Sequence, residues 1–364
     1  MIFDNLKETI ENKVTEKRRI NKGNIRHILV DIIFIALCGC LSGATTYEEL
    51  RIFGKTHIDW LKKYLDLPNG IPSADTIQRV LEIIDAREPS VAIFDWLDFL
   101  REKGDVISID GKTIRGSKND EHNAYHVISA FISEHSVTLG EVKTSEKSNK
   151  ITAVPKLLKL INIRDSIITA DAISCQKDII ETVAKRGGDY VVGLKGNQKN
   201  THEQVKNHVE PQIDNLKYFV TREKGQGRNE KRKYCLITDL NWLQGKEKWS
   251  DLRAIEVVKS TIERNGKITQ EIRYFITSLT DVKQLAYAVR QHWGIENKLH
   301  WVLDVVFKED ASLVKAKNAP LIFNEMRKTV IYLLKKKKKN KVSYQSMMYR
   351  AGMDNDFLEE ILFD

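Results

Sequence analysis

The feature that most constrains this chain is a helical segment, DVKQLAYAVRQHWGIENKLHWVLDVVFKED, at residues 281–310. Its apolar residues recur at the spacing of one helical face, which predicts a single helix over the whole segment. Glu296 lies near the middle, with His292 four residues before it and His300 and Asp304 four and eight residues after it. Residues four apart lie on one face of a helix. Because an unpaired buried charge is costly, we expect this carboxylate to bind a metal ion or a charged partner.

Length and composition bound the remaining possibilities. The 364 residues are enough for two domains, or for one domain with an insertion. A hydrophobic content of 41% allows a proper core and argues against wholesale disorder. The formal net charge of +9 favours a polyanionic partner, although basic composition alone is weak evidence. The four cysteines have neither zinc-ribbon spacing nor a disulfide framework, so we expect reduced thiols in a cytoplasmic protein.

An apolar run at residues 28–41, ILVDIIFIALCGCL, resembles a signal sequence with a lipoprotein-like cleavage box. Three observations favour a buried core helix instead. Asp31 interrupts the run, the run is shorter than the roughly 20 residues that span a bilayer, and acidic residues are frequent before it. We therefore expect no membrane contact, with export or anchoring as the alternative.

The spacing of apolar residues along the sequence predicts three regions. Residues 1–100 are expected to form a helical N-terminal domain, residues 101–330 an α/β core, and residues 331–364 a basic C-terminal tail that includes five consecutive lysines. Within the core, residues 218–280 are read as a β-rich insertion that precedes the Glu296 helix. No internal repeat is found.

The N-terminal region contains a turn followed by a helix start, GIPSADTIQRVL at residues 70–81. Ser73 is expected to be the N-cap, with Asp75 in the first turn. The exposed face of this helix would carry Thr76, Gln78 and Arg79. That face either reads DNA or belongs to a purely structural helical module, and the sequence leaves both interpretations open.

The α/β core is predicted from short β-rich runs that alternate with helices. Asp110 lies near the end of the strand VISIDGKTI, and Asp171 lies toward the end of the strand DSIITADAIS. Ligands of such sheets gather at the carboxyl ends of strands, so the two aspartates are expected to share a site. Lys195, between two glycines after the strand DYVVGL, is expected to contact a DNA phosphate.

Asp110, Asp171 and Glu296 together suit a two-metal site. Mg²⁺ and Mn²⁺ prefer carboxylate oxygens, and a pair of such ions about 3.5–4 Å apart serves phosphoryl transfer. The glycine after Asp110 allows close approach of a substrate, and Lys112 and Arg115 would then face its phosphates. The alternative is that Lys112 and Arg115 only neutralise nearby acidic residues. The chain has 50 acidic residues, however, so this choice of three cannot rest on spacing alone.

Other interpretations of the helical segment were weighed. His292, Glu296 and His300 could bind zinc, but the His-Glu-x-x-His pattern of helical zinc hydrolases is absent. Trp293 and Trp301 are expected to be core residues rather than base-stacking platforms. Asp304 and Asp310 are expected to be surface charges.

Four blocks make the chain recognisable: DGKTIRGS at 110–117, ITADAISCQKDI at 168–179, YVVGLKGNQ at 190–198 and HWGIENKLHWVLDVVFKEDAS at 292–312. With these, the sequence resembles the DDE transposases of bacterial insertion sequences, and most closely the H-repeat-associated group. The resemblance covers nearly the whole chain. It implies a ribonuclease-H-like catalytic core with a β-rich insertion, and Asp110, Asp171 and Glu296 as the metal-binding triad.

The sequence departs from the wider superfamily at some positions. The glutamate helix there carries a tyrosine, an arginine and a lysine at fixed spacing, where this chain has Val289, His292 and Leu303. His292, His300 or Asp304 is therefore expected to substitute in DNA contact. The segment GQGRNEKR resembles the group's glycine-basic motif and marks Arg228 as a further DNA contact, although Gln226 stands where histidine is expected.

The resemblance implies metal-dependent cleavage of double-stranded DNA at transposon ends and transfer of the freed 3′ hydroxyl to target DNA, with two Mg²⁺ or Mn²⁺ ions. A homodimer is expected, since two DNA ends must be brought together. Two alternatives stay open. The chain could be a DNA-binding protein with an inactive core, or a metal-dependent nuclease that performs no strand transfer.

Overall fold

The computed structural model describes residues 2–18, 25–85, 88, 102–144, 150–225, 227–338 and 341–363. Its centre is one mixed sheet of nine strands in the order β3-β2-β1-β4-β5-β9-β8-β7-β6. The strands are β1 Val106–Ile114, β2 Tyr125–Ile132, β3 Val137–Thr144, β4 Ile167–Ala170, β5 Asp189–Leu194, β6 Phe219–Gly225, β7 Arg228–Ile237, β8 Ala254–Arg264 and β9 Lys267–Thr277.

Some helices pack on this sheet, and those before residue 84 pack mainly on one another and on the helix at residues 319–337. All these helices complete the α/β fold predicted from the sequence. They are α1 Ile2–Lys13, α2 Leu29–Leu41, α3 Tyr47–Thr56, α4 Ile58–Leu61, α5 Ala74–Ile83, α6 Lys150–Leu160, α7 Lys177–Lys185, α8 Lys199–Val209, α9 Val282–Gly294, α10 Trp301–Val305, α11 Ala319–Lys337, α12 Tyr344–Ala351 and α13 Asn355–Phe363.

The register of the sheet brings the two predicted aspartates side by side. β1 pairs in parallel with β4, and the last paired residues are Ile109 and Ala170. Asp110 and Asp171 directly follow this pair. Beyond Asp110, β1 continues to Ile114 by antiparallel pairing with β2 alone. Both carboxylates therefore lie where the parallel strands separate.

The β-rich segment at residues 218–280 extends the same sheet. β9 pairs antiparallel with β5, with Val191 opposite Thr277, and β8, β7 and β6 follow in turn. Along the chain, β9 is the last of these strands, and it leads into α9, which packs against β1, β4 and β5. The insertion is thus continuous with the core, and it delivers the helix that carries Glu296.

The apolar run near the N-terminus is a buried helix, as predicted. In α2 the residues from Val30 to Leu41 are all buried. Asp31 accepts a hydrogen bond from the Leu67 amide (3.2 Å), and burial raises the pKa of its carboxyl. Among the described residues, the search for helices able to cross a bilayer found no candidate.

The predicted start of α5 is confirmed. The hydroxyl of Ser73 accepts a hydrogen bond from the Thr76 amide (3.2 Å), and Ile77, Val80 and Leu81 are buried. The residues described between 2 and 83 include helices and no strand. The end of the expected N-terminal domain, residues 89–100, lies outside the described residues.

The prediction of a basic C-terminal tail is wrong for most of residues 331–364. α11 continues to Lys337, and α12 and α13 follow it as folded helices. Their apolar residues, including Phe357 and Leu358, are buried, and α13 packs against the N-terminal helices through a hydrogen bond from Trp60 to Glu359 (3.1 Å). Amphipathic spacing after the lysines explains this outcome, because it supplies a face that must be buried.

The prediction of one helix over residues 281–310 needs correction. α9 passes into a π-helical turn, Ile295–His300, and α10 ends at Val305. Lys308 adopts a left-handed conformation (φ 51°), and a 3₁₀ turn follows at Glu309–Ala311. The chain thereby folds back toward β1. Glu296 lies within the π-helical turn, a type of irregularity that is frequent at functional sites.

Candidate active site

Asp110 and Asp171 are linked by a lysine ammonium. Lys150 Nζ donates to Asp110 Oδ1 (2.9 Å) and to Asp171 Oδ2 (3.2 Å). The other oxygen of Asp171 accepts from the amide and the hydroxyl of Ser174 (3.3 and 3.1 Å). These contacts fix both carboxylates at the end of the parallel strands, with their charges directed toward a shared cation.

Glu296 approaches Asp110 from the helix. His300 Nδ1 lies 3.4 Å from Glu296 Oε2 and 3.8 Å from Asp110 Oδ2. One ligand atom from each of Asp110, Glu296 and His300 lies within 4.8 Å of the others. Three of the residues selected from the sequence therefore meet in space, and Asp171 joins them through Lys150.

The surroundings hold Glu296 in its charged form. A hydrogen bond from His300 is the main cause that lowers the pKa of Glu296, to about 2, against the opposing effect of partial burial. Contacts with Asp110 and the charge of His292 lower the pKa of Glu296 further. A carboxylate that remains ionised is suited to bind a cation at neutral pH.

His292 lies beside the site and faces the sheet. Its Nδ1 is hydrogen-bonded to Thr169 Oγ1 (3.0 Å), and Thr169 in turn donates to Ser108 Oγ (3.2 Å). Burial lowers the pKa of His292, and the charge of Asp110 opposes that effect. In this structure His292 attaches the helix to β4, and it also lines the cleft described next.

A cleft of about 330 Å³ opens over the site. Its walls come from the ends of the core strands, from β9 of the insertion and from α9. Arg273 of β9 lies 4.8 Å from the ring centroid of Trp293. The lining residues that bear on function are Asp110, Asp171, Lys195, Arg273, Trp293 and Glu296.

Both tryptophans predicted as core residues are exposed, so that prediction is wrong. Trp293 is 36% exposed and Trp301 is 55% exposed. The π-helical turn lies between them. The helix packs against the sheet through Leu285, Ala288 and Val289 before this turn and through Leu299 and Leu303 within and after it, so the two indole rings are left at the surface.

Lys112, expected to face DNA phosphates, lies in the interior instead. Its side chain is 8% exposed, and Nζ lies 2.7 Å from Asp304 and 2.8 Å from Glu309. Asp310 lies 3.8 Å away, so Asp304 and Asp310 are ion-pair partners rather than isolated surface charges. The fully buried Glu309 also contacts Arg327 (3.4 Å). Because three carboxylates surround its ammonium, the Lys112 side chain is not placed to contact a DNA phosphate.

The other predicted DNA contacts lie at three separate places. Lys195 is exposed at the edge of the cleft. Arg115 is 77% exposed and lies 3.5 Å from Asp310. Arg228 begins β7 at the tip of the insertion, opposite Arg264 of β8, and lies 3.6 Å from Glu230. Gln226, beside it in the glycine-basic segment, lies outside the described residues.

No sequence pattern marks Lys150 or Arg273 as functional residues. Each is one of 59 lysines and arginines, and neither belongs to a recognised motif. In the structure Lys150 is the first residue of α6. Only the pairing of β1 with β4 brings the two aspartates close enough to share its ammonium.

The residues at this site fit divalent metal ions. Asp110, Asp171 and Glu296 offer carboxylate oxygens, the ligands that Mg²⁺ and Mn²⁺ prefer. A cationic group, the ammonium of Lys150, already lies between two of them. The donor set therefore suits a hard cation, with His300 as a neighbour of Glu296.

Comparison with known proteins identifies the family of the chain. The model of the family described as "Transposase DDE domain" matches residues 101–334, and the model described as "DDE_Tnp_1-associated" matches residues 12–97. A protein of Escherichia coli K12 named "H repeat-associated putative transposase YhhI" is 38% identical, over 93% of this chain and 93% of its own length. "Putative transposase YncI" of E. coli O157:H7 is 37% identical, over 94% of this chain and 90% of its own length.

The fold, the acidic site and these matches define a class of DNA-acting proteins. The chain belongs to the DDE transposase family, within its H-repeat-associated group. A solved synaptic complex of piggyBac transposase with hairpin DNA is also similar, with a TM-score of 0.43 and 12% identity over 100% of this chain and 79% of that one. A likeness of that degree adds nothing to the assignment.

Proposed function

We propose that this chain is an active transposase that cleaves DNA at the ends of an insertion sequence and joins the freed 3′ end to target DNA. Asp110, Asp171 and Glu296 would hold two Mg²⁺ or Mn²⁺ ions. The observation that carries the proposal is the convergence of Asp110, Glu296 and His300 within 4.8 Å, at a point where Lys150 joins Asp171 to Asp110.

The chain's own residues would position the reaction. When bound, two divalent ions supply the positive charge that activates the attacking oxygen and stabilises the leaving oxygen of a phosphodiester. Asp110 and Asp171 provide carboxylates from adjacent parallel strands, which are rigid elements. Glu296 completes the set from the helix, and His300 keeps it ionised. No covalent protein–DNA intermediate is required.

The sheet supports a ribonuclease-H-like core as part of this proposal. Strands β3, β2 and β1 are antiparallel neighbours, and β4 and β5 follow in parallel with β1. Glu296 comes from a helix packed on those same strands. Residues 218–280 would then be the insertion between the last core strand and the catalytic helix.

DNA would lie across the cleft and the adjoining basic surface. Lys195 lies at the edge of the cleft and Arg115 on an open groove beside Asp310, and Arg228 lies at the tip of the insertion. His292 and His300 lie close to the acidic residues and would contact the strand that is cut. We also propose that the protein acts in the cytoplasm and pairs two DNA ends as a homodimer.

The test uses purified protein and labelled DNA carrying the repeats that flank its own gene, with Mg²⁺ or Mn²⁺. Glu296→Gln should reduce cleavage by roughly a hundredfold or more, with DNA binding retained. Glu271→Gln is the matched control, since Glu271 lines the same cleft and pairs with Arg273 (2.6 Å). It should leave cleavage within a few-fold of wild type.

The products separate the alternatives. Strand-joined products that need metal and Glu296 support the transposase. Metal-dependent cuts without joined products would indicate a nuclease instead. Binding without cleavage by the wild type would indicate an inactive DNA-binding protein, and cleavage that survives Glu296→Gln would mean that Glu296 is not in the catalytic site.

A further inference from the structure

Lys150 lies in the candidate active site, between two carboxylates. Its side chain is 7% exposed, and Nζ contacts one oxygen of Asp110 and one of Asp171 at 2.9 and 3.2 Å. The ammonium is therefore centred between the two carboxylates that the proposed function assigns to metal binding.

The neighbouring backbone makes room for this side chain. A Cβ atom at Gly111 would lie 2.6 Å from His126 Nε2 and 2.7 Å from Lys150 Cε, both closer than real side chains allow. The glycine after Asp110 was expected from the sequence to admit a substrate. In the structure, part of the space that it leaves is filled by the stem of Lys150. The absence of a side chain at Gly111 therefore leaves room for Lys150 beside Asp110.

A divalent ion shared by Asp110 and Asp171 needs the same oxygens that Lys150 now contacts. Ammonium and metal ion cannot both occupy the space between the two carboxylates, since each needs contact distances of about 2–3 Å and the two repel. Without any cation, the two aspartates would face each other with unbalanced charge in a largely buried site.

We propose that Lys150 is a built-in counter-ion that holds Asp110 and Asp171 together before metal arrives and withdraws when a divalent ion binds them. This inference rests on the proposed metal-binding role of the two aspartates. Lys150 is thus a positioning residue: it preserves the geometry of the site and sets the metal concentration at which the site is filled.

The first test measures Mn²⁺ binding to the full chain by calorimetry in the absence of DNA. Lys150→Met should bind Mn²⁺ about tenfold more tightly, since the ion no longer displaces an ion pair. Lys156→Met is the matched control, because Lys156 lies exposed on the same helix, and its affinity should equal that of wild type. Unchanged or weaker Mn²⁺ binding by Lys150→Met would overturn the proposal.

A second measurement uses the wild-type protein and so does not depend on whether the variant folds. Lysine amines are methylated with formaldehyde and a borohydride reagent, with and without Mn²⁺, and the extent at each lysine is read by peptide mass spectrometry. Labelling of Lys150 should increase severalfold with Mn²⁺, whereas that of Lys156 stays constant. If Mn²⁺ binds and Lys150 remains as protected as before, the ammonium does not withdraw and the inference fails.

Asp110→Asn separates this inference from the function on which it rests. Suppose that Asp110→Asn abolishes Mn²⁺ binding, that Lys150→Met binds Mn²⁺ as wild type does, and that Mn²⁺ does not change the methylation of Lys150. The metal site then stands, and the role of Lys150 is refuted. If Mn²⁺ binding does not depend on Asp110, the proposed function itself has failed.

Discussion

His300 and Glu296 lie on one π-helical turn, with His300 Nδ1 3.4 Å from Glu296 Oε2. The imidazole is buried, whereas the carboxylate is mostly exposed toward the cleft. Because the same imidazole also lies 3.8 Å from Asp110 Oδ2, it connects the helix to the strand. The hydrogen bond to Glu296 is the main reason why the pKa of that carboxyl falls to about 2.

Replacing His300 by alanine should therefore raise the pKa of Glu296 toward its ordinary value near 4.5. The measurement is a titration of metal-free protein labelled with ¹³C at the glutamate carboxyl, with Glu296→Gln to assign the signal. His292→Ala is the control and should move the pKa less, since His292 acts on Glu296 only through its charge. An unchanged titration midpoint in His300→Ala would show that His300 does not hold the carboxylate ionised.

The part of this site that the sequence predicts follows from local rules. Asp110 and Asp171 were selected because they end strands, and parallel pairing does place such ends together. Ser73 as a helix cap and the burial of residues 30–41 follow from equally local patterns. The helix cap and the buried helix are decided within a few residues or repeats along one element, whereas the meeting of Asp110 and Asp171 also requires β1 and β4 to pair.

What the sequence could not predict depends on contacts between distant segments. Lys112 was expected to face DNA, but the turn at Lys308 brings Glu309 into contact with Lys112. No local sequence pattern predicts that turn. Lys150 gains its role only after β1 and β4 pair. The exposure of Trp293 and Trp301 depends on how the helix sits on the sheet around the π-helical turn, whereas the sequence pattern assumes a regular helix.

Because Lys112 is buried and Arg115 is exposed, replacing Lys112 should reduce the stability of the fold much more than replacing Arg115. Lys112→Met leaves Glu309 and Asp304 without their shared ammonium, and removing one partner of a buried ion pair costs about 3 kcal/mol or more. Arg115→Ala removes one exposed ion pair, so it should cost less than about 1 kcal/mol. Urea unfolding of the two variants measures both values.

DNA binding by the same two variants should show the opposite pattern. Arg115→Ala should reduce the slope of log affinity against log salt by about one, as for the loss of one phosphate contact. Lys112→Met, assayed well below its unfolding transition, should leave that slope unchanged. A reduced slope in Lys112→Met would return Lys112 to the set of DNA contacts.

Glu256 in β8 predicts a pH dependence of stability. It is fully buried, neither of its carboxyl oxygens has a hydrogen-bond partner among the described residues, and burial raises the pKa of Glu256 well above its ordinary value. The folded protein therefore keeps the proton to higher pH than the unfolded chain does. Its contribution to stability is complete below the unfolded pKa and is lost as pH rises toward the folded pKa.

Glu256→Gln should remove this loss, because the amide does not ionise. Its stability relative to wild type should rise by about 1.4 kcal/mol per pH unit above roughly pH 4.3, until the folded carboxyl ionises. Thermal unfolding between pH 4 and 8 measures the difference, and Glu263→Gln, exposed on the same strand, should show no such slope. A difference between Glu256→Gln and wild type that does not vary with pH would mean that Glu256 is ionised in the folded protein.

Gly294, the last residue of α9, sets how closely the Glu296 helix approaches the sheet. A Cβ atom there would clash with the side chain of Ser133, which donates to the Gln291 carbonyl (2.8 Å). Gly294→Ala should therefore destabilise the fold by about 1–3 kcal/mol and shift Glu296, two residues on, so that Mn²⁺ binding weakens. Gly196→Ala is the control for stability, since a Cβ atom at Gly196 meets nothing within 4 Å.

A second-site change tests the cause of that effect. Ser133→Gly removes the atoms that the new methyl group would meet, so the double variant Ser133→Gly with Gly294→Ala should recover most of the stability that Gly294→Ala loses. The coupling between the two positions, read from urea unfolding of the four proteins, should then exceed about 0.5 kcal/mol. If the losses of stability in the two single variants simply add in the double variant, Gly294 does not act through its contact with Ser133. Other packing contacts would then set the position of the helix.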